Sequence, residues 1–146
     1  MPASQIFLVA LDGSDVSERA AEFAASRARQ LEAKLILVHV IDWSGFEHLT
    51  LEEAAERHIQ KEREIKAAEA QILEPMKARL SSGDLLLDIE ARHGHPVETL
   101  VELAEEHGAH EVFVGRRGVG KLKALLLGST SAGLAQVCPV PLTIVP

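Results

Sequence analysis

Short apolar runs alternate along this chain with longer stretches whose apolar residues recur every three or four positions. Residues 6–11 (IFLVAL) are continuously apolar and end at Asp12-Gly13-Ser14, the pattern of a strand buried on both faces and closed by a turn. Ser14 or Asp15 can cap the helix predicted next. There Ala20, Ala21, Phe23, Ala24, Ala28 and Leu31 repeat at helical spacing up to about Glu32. Residues 35–41 (LILVHVI) predict a second buried strand. A charge-rich helical stretch runs from 51 to about 80, with Leu51, Ala55, Ile65, Ala68, Ile72 and Met76 on one side. Pro75 lies inside it and predicts a kink or break, because proline has no N–H for the carbonyl four residues back. Residues 85–91 (LLLDIEA) read as a third strand, followed by the turn His93-Gly94-His95-Pro96. The next helix, 97–106, buries Leu100, Leu103 and Ala104, and Pro96 suits its first turn. A short strand at 111–114, a glycine-rich loop, a helix at 124–137 and a last strand at 140–145 (VPLTIV) complete the chain. Pro141 places that last strand at a sheet edge.

The order β-α-β-α-β-α-β-α-β predicts an α/β fold with a single open, mostly parallel, five-stranded sheet and helices on both faces. One domain spanning residues 1–146 is expected, without a linker, low-complexity tract or internal repeat. In such sheets ligands sit beyond the carboxyl ends of the strands, where the strand order reverses. Two loops fall at ends of that kind, Asp12-Gly13-Ser14-Asp15 and the segment from Gly115 onward.

Composition narrows the function. Apolar residues make up 47% and charged residues 25%, as in ordinary globular proteins, and the aromatic share is only 3%, so the core is aliphatic. With 22 acidic against 15 basic side chains the net charge is −7, which disfavours binding to a nucleic-acid backbone. The one cysteine, Cys138, cannot form an internal disulfide, and it precedes proline in an apolar stretch, where packing outweighs reactivity. No signal-peptide pattern opens the chain and no run approaches the ~20 apolar residues of a membrane span, so a cytoplasmic protein without membrane insertion is expected.

The second loop carries the most chemistry. Gly115-Arg116-Arg117-Gly118-Val119-Gly120 places three glycines in six residues, a backbone able to approach an anion closely and turn its N–H groups inward. Gly128-Ser129-Thr130-Ser131 adds hydroxyl donors at a helix start, where the dipole favours negative charge. All 22 acidic residues lie at or before Glu111, whereas Arg116, Arg117, Lys121 and Lys123 share one loop. A bound polyphosphate explains this distribution; a solvated basic loop with turn glycines is the alternative. The segment Gly115-x4-Gly120-Lys121 opens like a phosphate-binding P-loop, but Leu122 stands where Ser or Thr must hold Mg²⁺. A dinucleotide fingerprint fails as well, because Lys123 occupies the place of the third glycine.

The spacing Gly115-x2-Gly118-x9-Gly128-Ser129 resembles the ATP-binding signature of the universal stress protein family. The likeness extends to the first strand with Asp12-Gly13-Ser14, Ser17 and Ala20, to Val38-His39-Val40, to Gly94-His95-Pro96, and to Cys138-Pro139-Val140-Pro141. It implies a Rossmann-like sheet of order 3-2-1-4-5. It further implies that Ala10, Asp12 and the backbone of Val40 lie against adenosine, and that Gly115, Arg116 and Gly118 line ribose and phosphate. Gly128, Ser129 and Thr130 would hold the phosphate tail. ATP is the implied ligand, with AMP or ADP as variants and Mg²⁺ or Mn²⁺ accompanying it. The resemblance also implies a homodimer through the last strand, Val140 to Val145, a higher oligomer as its extension, and a protein partner of unknown identity.

Other residues admit plainer readings. Asp12 alone could simply serve the helix cap. His93-x-His95, and His107 with His110, lack a third ligand in sequence, so a structural metal is not expected. His39 within an apolar strand reads as a satisfied core histidine, and the run 56–66 as a solvated helix face. Trp43 and Phe46 either cover an adenine or pack on the surface. Ser14 and Ser17 lack a partner base for hydrolase chemistry. Two function classes follow: a non-catalytic nucleotide sensor, favoured because no general base accompanies the phosphate cradle, and a slow ATPase or nucleotidyl-transfer enzyme.

Overall fold

The computed structural model describes residues 5–43, 49–117 and 127–146. Its strands are β1 (Ile6–Ala10), β2 (Lys34–Asp42), β3 (Leu86–Gly94), β4 (Glu111–Gly115) and β5 (Leu142–Val145). They form one sheet of order β3-β2-β1-β4-β5, with every pairing parallel. The helices are α1 (Asp15–Leu31), α2 (Leu51–Ala68), α3 (Glu74–Leu80), α4 (Pro96–His107) and α5 (Ser129–Val137).

Strand alternation sorts the core into two layers. Phe7, Val9, Leu11, Leu35, Leu37 and Phe113 point to the face covered by α1, α3 and Leu73. Leu8, Ile36, Val38, Val112 and Val114 point to the face covered by α4 and α5. Because the central strands are buried on both sides, they read as unbroken apolar runs. Helix α1 meets the sheet through Ala20, Ala21, Ala24, Ala25 and Ala28, all fully buried, and these small side chains let it lie close. Phe23 and Leu31 fall at the margin of that stripe and stay exposed, contrary to the helical spacing read from sequence; Phe23 rests its ring 6.1 Å from that of Phe113.

Several boundaries differ from the sequence pattern. The stretch containing Pro75 neither breaks nor ends. Residues Glu69–Leu73 form a π-helical segment joining α2 to α3, and the Glu74 N–H reaches back five residues to the Glu69 carbonyl. The wider turn accommodates a proline that cannot donate and whose ring would crowd the carbonyl four residues back. Leu51, expected on the buried side, is 91% exposed: it starts α2, whose one buried residue, Ala68, lies at the other end. Strand β3 continues through His93 and Gly94, paired with Ile41 and Asp42, so the turn before α4 is confined to His95. Helix α5 begins at Ser129, with Gly128 as its extended N-cap and the Gly128 N–H bonded to the Arg116 carbonyl; residues 124–126 of the predicted helix lie outside the described residues.

Candidate functional site

The chain leaves β1 on one side toward β2 and β3, then returns to its other side at β4. The carboxyl ends of β1 and β4 therefore flank the point where strand order reverses, and a crevice opens there. The empty space of the cleft is ≈ 510 Å³ when the open solvent at its mouth is counted. Ala10, Val40, Val114 and Leu100 supply apolar walls, while Asp12, Arg117 and Thr130 supply polar ones.

The turn after β1 is built by a closed set of hydrogen bonds. The Ser14 N–H and hydroxyl donate to Asp12 Oδ1 at 2.9 and 2.5 Å. Ser14 Oγ accepts from the Ser17 N–H, so Ser14 rather than Asp15 caps α1. The buried Ser17 hydroxyl donates to the Ser14 carbonyl and accepts from the Asp12 N–H. Asp12 thus supports the cap residue and faces the cleft at once. His39 adds a brace: its Nδ1–H donates to the Leu11 carbonyl at 2.6 Å, which makes it a satisfied strand histidine fixing the residue before Asp12.

The far wall comes from β4 and α5. Gly115 lines the cleft directly. The Arg116 N–H donates to the Val145 carbonyl, and the Arg116 carbonyl accepts from the Gly128 N–H and the Ser131 hydroxyl. Ser131 is buried and its hydroxyl also reaches the Gly128 carbonyl, so neither it nor the Gly128 N–H remains for a ligand. This corrects the expectation of three available hydroxyls. What remains is the first turn of α5, which has no side-chain cap bond and whose opening amides lack intrahelical partners. Ser129 is exposed there, and Thr130 faces the cleft.

Of the predicted site residues, Ala10, Asp12, Val40, Gly115 and Thr130 converge on the cleft, and Gly128 and Ser129 start the helix beside it. Gly118 lies outside the described residues, as do Phe46, Lys121 and Lys123. Arg116 does not line the cleft; its backbone continues the β4–β5 ladder, and its neighbour Arg117 supplies the cation instead. Pro96 and Leu100 also line the cleft, and the helical period of residues 96–106 marked only the inward side of α4, not its approach to a ligand.

The remaining candidates have other partners. Trp43 packs edge-on against His93 at 5.5 Å, with Arg57 and Lys61 over its ring at 4.5 and 3.6 Å, which turns it toward α2 and away from the cleft lining. His93 Nε2–H donates to Glu64, and this bond holds the Glu64 carboxyl below its ordinary pKa. His107 is bonded to Glu90, and His110 accepts from the Ile6 N–H, so these two histidines do not share a ligand position. Among the described residues one set of three metal-ligand side chains converges, Glu90, Glu106 and His107, but Arg92 already bonds both carboxylates.

A parallel α/β sheet with a mostly apolar cleft at its switch point defines the doubly wound class of fold. The sequence model of the universal stress protein family matches residues 4–146, and the chain belongs to that family. The universal stress protein YxiE of Bacillus subtilis is 31% identical over 144 residues, covering 94% of this chain and 96% of that one. Among solved structures, the universal stress protein UspA from Lactobacillus plantarum shares the fold, with a TM-score of 0.80 at 20% identity over 100% of both chains. A universal stress protein in complex with cAMP matches with a TM-score of 0.64 at 28% identity, over 99% of this chain and 98% of that one.

Proposed function

We propose that this chain binds ATP in the cleft and works as a non-catalytic sensor, its occupancy altering dimerisation or docking on a partner protein. The carrying observation is the division of the cleft itself. Ala10, Val40 and Leu100 offer an apolar slot for a base, while Arg117, Thr130 and the opening turn of α5 offer a cation, a hydroxyl and amides for phosphate. A relative of known structure takes cAMP, an adenine nucleotide, which supports the ligand class. AMP and ADP would bind more weakly, since they present less charge to Arg117. Mg²⁺ or Mn²⁺ would travel on the phosphates, because the one converging ligand set among the described residues lies at Glu90, Glu106 and His107, outside the cleft lining.

The two sheet edges support pairing through β5. Edge strand β3 carries Asp88, Glu90 and Arg92, charges that oppose strand addition, whereas Leu142–Val145 carries none.

Calorimetric titration tests the nucleotide assignment. Wild type should bind ATP at micromolar concentration or better, and Ala10→Leu, which fills the slot, should weaken binding at least tenfold while circular dichroism stays native. Wild-type protein that takes no ATP would overturn the assignment. Steady hydrolysis above roughly one turnover per second, the low end of typical enzyme rates, would replace the sensor with an enzyme.

A further inference from the structure

Beside the cleft, a second and wider hollow, ≈ 900 Å³ with the open solvent above it counted, runs between the start of α4 and the length of α5. Its lining is mixed: Pro96, Val97, Gly133 and Val137 are apolar, and His95, Ser129, Thr130 and Gln136 are polar. Gly133 brings α5 so close to α4 that a Cβ there would stand 2.7 Å from Val97 Cγ2, and Val137, 56% exposed, closes the outer end. Its rim is acidic, with Asp42 from the end of β2 and Glu98 from the first turn of α4. Among the described residues no lysine or arginine lines it.

We propose that this groove docks a partner segment that presents an apolar side chain flanked by lysine or arginine. A buried small molecule is a poor match, because Asp42, Glu98 and Val137 are all exposed, whereas small ligands are mostly enclosed by their sites. A chelated cation is a poor match too. Asp42, His95 and Glu98 are not among the described side chains whose ligand atoms converge. Apolar Val97 and Val137 beside the carboxylates of Asp42 and Glu98 instead suit a peptide that carries an apolar side chain and the opposite charge, as charge complementarity sets partner choice.

Pro96 and Thr130 line both the cleft and the groove. A nucleotide phosphate at the first turn of α5 would therefore add negative charge at the groove's end, and a basic partner would bind more tightly with ATP present than with AMP. This coupling rests on the nucleotide reading above, whereas the groove itself does not.

The probes are two fluorescein-labelled synthetic peptides, one alternating lysine with leucine and one alternating glutamate with leucine, followed by fluorescence anisotropy at fixed ionic strength. The lysine peptide should bind wild type at least tenfold more tightly than the glutamate peptide. D42N/E98Q and Val137→Ser should each weaken it at least fivefold while leaving ATP affinity within twofold by calorimetry. Equal binding of both peptides, or undiminished binding by D42N/E98Q, would refute the groove. Loss of the lysine peptide to millimolar Mg²⁺, not reproduced by NaCl of matched ionic strength, would assign the rim to a cation and equally overturn the proposal. Saturating ATP should tighten the lysine peptide at least threefold relative to AMP. If ATP binds without that effect, the coupling is wrong; if ATP does not bind at all while the groove variants behave as stated, only the nucleotide reading fails.

Discussion

A side chain on Gly115 would collide with Val16: a Cβ built there stands 2.6 Å from Val16 Cγ1, 3.2 Å from the Val16 carbonyl carbon and 3.3 Å from the Ser17 nitrogen. The first turn of α1 therefore rests directly on the end of β4, and this brings Asp12 and Ser17 to the same cleft wall as Gly115. Two of the three close atoms are backbone, so a rotamer change cannot relieve the clash. Gly115→Ala should cost about 1–3 kcal/mol in urea unfolding, the usual range for overpacking, and should weaken ATP binding as α1 is pushed away. Unchanged stability would mean that α1 yields freely.

Gly94 and Gly108 both have positive φ, at 151° and 63°, but in different surroundings. At Gly94 a Cβ would meet Thr99 Oγ1 at 2.3 Å, whereas nothing lies within 4 Å of one at Gly108. Gly94→Ala combines backbone strain with overpacking and should cost about 2–4 kcal/mol. Gly108→Ala carries only the left-handed conformation and should cost about 1–2 kcal/mol. Chemical denaturation of the two variants checks the order.

Arg117 should discriminate among nucleotides by phosphate charge. Hydrogen bonds to charged groups contribute about 1.5–3 kcal/mol, so Arg117→Ala should weaken ATP binding roughly tenfold or more and AMP much less. Titration of both nucleotides against both proteins measures the difference. An equal loss for ATP and AMP would move Arg117 away from the phosphate tail.

Acid should weaken the packing of α2 and α4 on β3. The hydrogen bond from His93 lowers the Glu64 pKa, and the bond from Arg92 lowers that of Glu106. A carboxyl held below its unfolded pKa contributes stability that is fully present above that value, about pH 4.3 for glutamate. The contribution is lost as pH falls through the lower, folded value. Thermal melts should therefore show a steeper acid decline in wild type than in E64Q/E106Q; parallel curves would contradict the assignment.

Pairing through β5 should depend on the N–H groups that β4 does not use. The Pro141 and Val145 carbonyls accept from Val112 and Arg116, so by alternation Ile144 turns its N–H outward. Ile144→Pro removes that donor and leaves the β4 ladder in place, as proline is tolerated on an edge strand. It should sediment as a monomer with native circular dichroism, while Ile144→Val remains dimeric. A dimer retained by Ile144→Pro would rule out pairing along this strand.

The sequence by itself determined the order of elements, the burial of the central strands and the end of the sheet at which the cleft opens. Continuous runs such as IFLVA and LILV can be buried only between two helical layers, and Asp12-Gly13-Ser14 can only close a turn. The resemblance carried by Gly115, Gly128 and Ser129 supplied the strand order that local pattern cannot. Tertiary structure decided what each polar group near the cleft is free to do. Hydroxyls at 129, 130 and 131 look alike in sequence, yet Ser131 spends its proton on the carbonyls of Arg116 and Gly128 while Thr130 faces the cleft. Arg116 and Arg117 are adjacent, yet only Arg117 reaches the lining, because the backbone of residue 116 is taken up by Val145 and Gly128. The physical reason is common to both: a hydrogen-bonding group is committed by neighbours that are distant in the chain, and residues 116, 128 and 145 meet only when β4, α5 and β5 come together.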